Sequence, residues 1–149
     1  MKNRQTKLRI LLDTSFILPS LGIDTGKEVL KGLRTLAEAE AEIHYSRFSI
    51  LESLWVAARI TGGIIDEAFN TGLRSILEGG RYMKMEEDSK VFSEALRLYT
   101  QGHRDMIDNI LYAASVNFNL KLLTVDKELK EFIRKNGLKD TLITPDQLT

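Results

Sequence analysis

Arg9-Ile10-Leu11-Leu12-Asp13-Thr14-Ser15 and Lys121-Leu122-Leu123-Thr124-Val125-Asp126 share one pattern: a short apolar run that stops at an aspartate. A brief run without polar alternation fits a strand buried on both faces, as in a parallel sheet. Strands are therefore expected over residues 7–13 and 120–125. Weaker candidates are Ile43 to Tyr45, Arg81 to Met85 and Leu142 to Thr144. Helical periodicity fills the intervals. One helix is expected from Asp24 or Thr25 to about Glu42, with Val29, Leu30, Leu33, Leu36 and Ala37 on one face. Ser46 can cap a helix over Arg47 to Thr61, ended by Gly62-Gly63. Further helices are expected over 66–77, 86–101, 104–118 and 127–135. Alternating strands and helices predict an α/β fold: three layers, α/β/α, with a mainly parallel central sheet. No repeat or linker interrupts the pattern, so residues 1–149 are expected to form one domain.

In open parallel sheets, binding sites form beyond the carboxyl ends of the strands. Asp13 and Asp126 fall there. Three more acids are candidates: Glu52 in Ile50-Leu51-Glu52-Ser53-Leu54, and Asp105 with Asp108, three apart on one helix. Carboxylates brought together repel one another, and a hard cation is the usual resolution. Such a cluster suits metal-assisted attack on a phosphate ester. Each acid also has an ordinary role open to it. Asp13 and Asp126 can cap helices, and Asp105 and Asp108 suit a first helical turn. Glu52 is expected at the margin of a buried stripe made by Ile50, Leu51, Leu54 and Ala58. Trp55 and Phe48 read as core residues.

Composition excludes several chemistries. The 149 residues include no cysteine, which removes disulfides, thiolate metal sites and cysteine nucleophiles. His44 reads as a strand residue and His103 as a loop residue, without ligand spacing. No phosphate-binding glycine loop is present, and Ser15 has no evident histidine base. Lys plus Arg and Asp plus Glu both number 21, so charge alone does not argue for nucleic acid. The basic groups Lys2/Arg4/Lys7/Arg9 and Lys127/Lys130/Arg134/Lys135 read as solvated surface. The first seven residues are polar and basic, and no apolar run approaches the roughly 20 residues of a membrane span. A cytoplasmic protein without a membrane partner is expected.

Four segments stand in a telling order: Leu11-Leu12-Asp13-Thr14-Ser15, Ile50-Leu51-Glu52, Asp108-Asn109-Ile110-Leu111-Tyr112-Ala113-Ala114 and Leu122-Leu123-Thr124-Val125-Asp126. Together they resemble the PIN-domain family, in particular its VapC-type members, the toxins of prokaryotic toxin–antitoxin pairs. The resemblance runs from Leu8 to Leu148. It implies a ribonuclease dependent on Mg²⁺ or Mn²⁺, with RNA as substrate, a cognate antitoxin as partner and a homodimeric assembly. It further implies that Asp13, Glu52, Asp108 and Asp126 are the catalytic, metal-holding acids. Asp105 is then an auxiliary acid, and Ser15 and Thr124 are hydroxyl neighbours. One or two ions would activate water for in-line attack on a phosphodiester. Alternatives stay open: an RNA-processing PIN nuclease outside toxin–antitoxin systems, or a non-catalytic PIN-like binding or scaffold module. A phosphatase with an aspartyl nucleophile fits less well, because Asp13 lacks the second acid two residues on.

Overall fold

A computed structural model of the chain describes residues 7–148. Lys2 and Arg4 of the first basic group, and the terminal Thr149, lie outside the described residues. The sheet has five strands: β1 (Arg9–Leu12), β2 (Glu42–Tyr45), β3 (Met83–Lys84), β4 (Lys121–Leu123) and β5 (Leu142–Ile143). Every pairing is parallel, and the spatial order is β3-β2-β1-β4-β5. The first three strands build outward from β1 in one direction. The chain then returns to place β4 on the other side of β1. The connection therefore reverses direction between β1 and β4, and a crevice opens at their carboxyl ends.

Six helices cover the sheet: α1 (Lys27–Ala39), α2 (Arg47–Thr61), α3 (Glu67–Leu77), α4 (Ser89–Thr100), α5 (Met106–Asn117) and α6 (Lys127–Lys135). Alternation along the strands divides the core in two. Leu11 and Leu122 pack with Val91, Leu98, Leu111, Leu129 and Ile133 of α4, α5 and α6. Ile10, Leu12 and Leu123 pack on the opposite side with Phe16, Val29, Leu36, Phe69 and Ile76. This is the expected α/β/α arrangement. The central strand carries it, since Ile10, Leu11 and Leu12 are all fully buried.

Side-chain caps set most helix starts. Ser46, Asp66, Asp88, Asp105 and Asp126 each accept a hydrogen bond from a backbone N–H of the first turn. The start of α1 differs from expectation. Gly26 occupies the cap position, Asp24 accepts from the Gly26 N–H, and the Thr25 hydroxyl donates to the Ser15 carbonyl. Thr25 thus ties the α1 entry to the segment after Asp13 instead of capping the helix. A tight approach fixes α3: a Cβ on Gly72 would lie 1.8 Å from the Ser20 carbonyl oxygen. Only glycine lets α3 rest on the 3₁₀ turn at Leu18–Leu21.

α2 has the expected span but not the expected face. Ser49, Ser53 and Ala57 are its buried residues, while Leu51, Leu54 and Trp55 are exposed. Small side chains line the inner face and let the helix axis approach the rest of the fold closely. Trp55, 55% exposed, is not a core residue. Phe48 is partly buried and meets Phe92 edge-on, with ring centroids 5.6 Å apart.

Candidate active site

The carboxyl ends of β1 and β4 deliver Asp13 and Asp126 to the crevice. The Asp13 N–H donates to the Leu123 carbonyl at 3.1 Å, extending the ladder one step past the strand. Its side chain is then fixed twice. Oδ1 accepts the Thr14 N–H at 2.7 Å, and Oδ2 accepts the Thr124 hydroxyl at 2.8 Å. The Thr124 Oγ1 in turn accepts the Asp126 N–H at 3.0 Å, so one buried hydroxyl links the two strand-end acids. Both acids also cap. Asp13 starts the 3₁₀ turn at Thr14–Phe16, and Asp126 Oδ1 accepts the N–H groups of Glu128 and Leu129. Capping uses one carboxylate oxygen of each; the second oxygen of Asp13 takes the Thr124 hydroxyl, whereas at Asp126 both capping bonds fall on Oδ1.

α5 contributes the third acid from its first turn. Asp105 is the cap, and its Oδ1 accepts the Asp108 N–H at 3.1 Å. Asp108 lies one turn in, with 8% of its surface exposed. A polar lock holds this end of the helix. His103 Nδ1 and Asn109 Oδ1 are 2.7 Å apart, and Asn109 Nδ2 donates to the His103 carbonyl at 2.8 Å. The His103 ring also rests on Phe132 of α6. Sequence reasoning missed this lock. Its trace was a polar Asn on the buried side of an otherwise apolar helix.

Glu52 enters from α2, half-buried, near Val56. Asp13, Glu52, Asp105, Asp108 and Asp126 all line one open cleft of about 270 Å³, together with Ser15. All five acids singled out in the sequence thus meet at one place. No Lys, Arg or His is among the lining residues.

The electrostatics follow from that composition. Burial is the largest cause that pushes Asp13 up from 3.8 to about 6, against the opposing hydrogen bonds from Thr124 and Thr14; nearby Glu52 and Asp126 push it further. Asp108 is raised far above the ordinary carboxyl range. Burial comes first, then the charge of Asp13, then a hydrogen bond with the Asp126 carboxylate. Two carboxyl groups can share such a bond only if one keeps a proton. At neutral pH the interacting acids Asp108, Asp126 and Asp13 by themselves therefore retain a proton, which Asp108, the most strongly raised, favours.

These residues fit a hard cation. The donors are all oxygens, and they repel each other unless a positive charge joins them. The Thr14 hydroxyl is buried beside Asp13 with no hydrogen-bond partner among the described residues. Such an orphaned oxygen awaits a water or an ion. Among the described residues no three Asp, Glu or His side chains are grouped so as to hold a metal ion by themselves. An open wall of one-sided acids suits Mg²⁺, which keeps several waters and takes few protein ligands.

Comparison with known proteins places the family and the fold. The family profile described as PIN domain matches residues 10–135, and the chain belongs to that family. No curated protein matches the chain by sequence. Among solved structures it is similar to Mycobacterium tuberculosis VapC20, a sarcin-ricin loop cleaving toxin. That likeness has 14% identity and a TM-score of 0.63, covering 82% of this chain and 93% of the other. It is also similar to VapBC2 from Rickettsia felis, solved with a DNA fragment from its promoter. Identity there is 15% and the TM-score 0.61, over 91% of this chain and 97% of the other. FitAcB from Neisseria gonorrhoeae gives 18% identity and a TM-score of 0.58 over 91% and 97%. At these identities the likeness speaks for the fold. Among the described residues no helix is long and apolar enough to cross a membrane.

Proposed function

We propose that the chain is a metal-dependent endoribonuclease that hydrolyses RNA phosphodiesters, and that it is the toxin of a toxin–antitoxin pair. The observation that carries this reading is the unbalanced acid cleft. Asp13, Glu52, Asp108 and Asp126 converge at the reversal point of a PIN fold, with two carboxyls pushed up and no cation in the lining. An RNA phosphate would be repelled by this wall alone, so the reading requires a cation between them. Bound there, Mg²⁺ or Mn²⁺ supplies Lewis-acid stabilisation of phosphate charge and lowers the pKa of water at neutral pH.

The chain's own residues have separable roles. Asp13, Glu52, Asp108 and Asp126 are the metal-holding acids, and Asp13 is the most firmly oriented of them. Thr124 fixes Asp13 and Asp126 relative to each other. Asp105 sets the start of α5 and so the position of Asp108. With a cation held there, the ionised form of Asp108 would be favoured, its proton passing to solvent. A carboxylate thus freed can act as general base toward the attacking water. Ser15 and Thr14 lie beside the cleft as hydroxyl neighbours.

The antitoxin reading rests on the solved neighbours that are toxin–antitoxin complexes. It also has a surface in this chain. Leu54, Trp55, Ile60, Ile64 and Ile65 stand exposed on α2 and the turn that follows it. Leu54, Ile64 and Ile65 line one apolar hollow there, and such exposed apolar surface suits a protein partner. Trp55 is the chain's sole tryptophan, so its emission should shift to the blue when that partner covers it. The homodimer and the cytoplasmic location belong to the same proposal.

The test is cleavage of a mixed pool of structured RNAs with and without Mg²⁺ or Mn²⁺, comparing the wild type with Asp13→Asn. Metal-dependent cuts that disappear in the variant are expected. Cuts that persist unchanged in Asp13→Asn would refute the site. No cleavage together with no metal binding would favour a non-catalytic PIN-like module.

A further inference from the structure

A second cleft opens on the far side of Asp126. Its volume is about 400 Å³, within the span of small-ligand sites. Val125 and Asp126 line both clefts, so the two adjoin at Asp126. The acid cleft holds no cation, whereas the second cleft holds Lys127 and Lys130. These lysines are three apart on α6 and therefore share a face. Both are exposed, and neither is in an ion pair among the described residues.

The facing wall is of different character. Asp140 uses Oδ1 to accept the Leu142 N–H at 3.0 Å, and its other oxygen takes no hydrogen bond among the described residues. Gln147 uses Oε1 to accept the Thr144 N–H at 2.9 Å, which leaves its amide N–H groups to donate. Glu28 and Asp146 also line the cleft. A free phosphate would face all of these acids. A nucleotide would not, because its two halves separate. Its phosphate can reach the lysines while its base edge faces the acceptors.

We propose that this second cleft is the subsite for the nucleotide next to the scissile phosphate. Lys127 and Lys130 hold its backbone phosphate, and Asp140 and Gln147 face its base. The assignment rests on the ribonuclease reading. It names two positioning lysines and a base class for that same site. The Asp140 carboxylate accepts from a base N–H and the Gln147 amide donates to a base oxygen or ring nitrogen; an exocyclic amine offers two N–H donors against the single N3–H of uracil, so bases that carry one are preferred.

The test uses Asp13→Asn protein in Mg²⁺, expected to hold RNA without cutting it, and fluorescein-labelled single-stranded oligocytidylate and oligouridylate read by anisotropy across a salt series. Oligocytidylate should bind more tightly. Adding Lys127→Ala and Lys130→Ala should weaken binding about tenfold at low salt. It should also lower the slope of log K against log salt by roughly 0.7, the amount for the one phosphate that the two lysines neutralise. Lys127→Arg with Lys130→Arg should restore both. Unchanged affinity and slope in the alanine pair would overturn the proposal. So would displacement of the RNA by inorganic phosphate alone, which would mark the lysines as a plain anion site. Wild-type cleavage is read separately. RNA held through the lysines but never cut would defeat the nuclease reading alone. Cutting that depends on Asp13 but is indifferent to the lysines would defeat the subsite alone.

Discussion

The two ends of the sheet treat acidic side chains in opposite ways. At the amino end, Glu42 of β2 is answered from within the chain. Arg9 Nε lies 2.9 Å and His44 Nε2 2.7 Å from the same Glu42 oxygen. Those hydrogen bonds, His44 first, hold Glu42 below the usual carboxylate range. Arg9 also donates to the Phe118 carbonyl, so the cluster ties β1, β2 and the end of α5 together. At the carboxyl end five acids share a cleft with no cation in its lining, and Asp13 and Asp108 are pushed up. The amino-end acid is satisfied by its own fold. The carboxyl-end acids are left unsatisfied by it, and that lasting repulsion is what a site for a cation and a phosphate substrate requires.

The largest effect that could undo this contrast is on chemistry. Asp108→Asn and Asp13→Asn should each lower RNA cleavage by more than the 10–100-fold typical of an outer partner of a metal site. Initial rates at saturating Mg²⁺ or Mn²⁺ measure this. The corresponding change at the amino end, Glu42→Gln, should leave the cleavage rate within about twofold, because it lies far from the reacting phosphate. Equal losses at both ends would mean that cleavage tracks stability rather than the site.

The next effect is on stability against pH, where the two ends have opposite signs. Asp13 has a folded pKa above its ordinary value. Its favourable contribution is therefore complete below about pH 4 and is lost as pH rises through about 6. In EDTA the wild type should lose on the order of 2–3 kcal/mol across that window, from a shift of about two units. Asp13→Asn should remove Asp13's share of the loss, leave the share that comes from Asp108, and be the more stable protein at pH 8. Glu42, with its pKa lowered, gives stability that is present at neutral pH and lost as pH falls through its folded value. Urea unfolding at a series of pH values separates the two. A chain whose stability rises through pH 4–6 in EDTA would contradict the repulsion at the carboxyl end.

Smaller effects rank the two ends by single side chains. Thr124→Val removes the hydroxyl that donates to Asp13 and accepts from the Asp126 N–H. It should cost about 1–2 kcal/mol at pH 8 and move the Asp13 titration further up. Arg9→Met should cost less than about 1 kcal/mol, as expected for a partly exposed ion pair. Thermal unfolding checks both. An Arg9 effect larger than the Thr124 effect would reverse the ranking.

Much of the carboxyl end was legible in the sequence, because strand ends and helix starts carry local signals. Asp13 and Asp126 announce themselves by closing apolar runs, and the Ser46 and Asp66 caps lie where the period begins. Asp105 and Asp108 share a face by spacing alone. The roles of cap and cleft acid proved compatible at Asp13 and Asp126, since both cap a turn and both line the cleft. The face of α2 was not legible. Its apolar residues lie on more than one side, and Ser49, Ser53 and Ala57 are inside because small residues allow close approach. Apolar periodicity points the other way, toward Leu51 and Leu54, which stay exposed. The His103–Asn109 lock and the Arg9–Glu42–His44 cluster depend on a loop meeting a helix and on strand register. Neither appears until the chain is folded.

The most direct test of the central claim is calorimetric titration of Mn²⁺ into the wild type and Asp108→Asn at neutral pH, in two buffers of different ionisation enthalpy. If the carboxyl-end acids form a cation site, the wild type binds saturably. The heat then depends on the buffer, because Asp108 releases its proton on binding, and the variant loses that buffer dependence. No saturable binding, or binding with the same heat in both buffers and both proteins, would contradict the account.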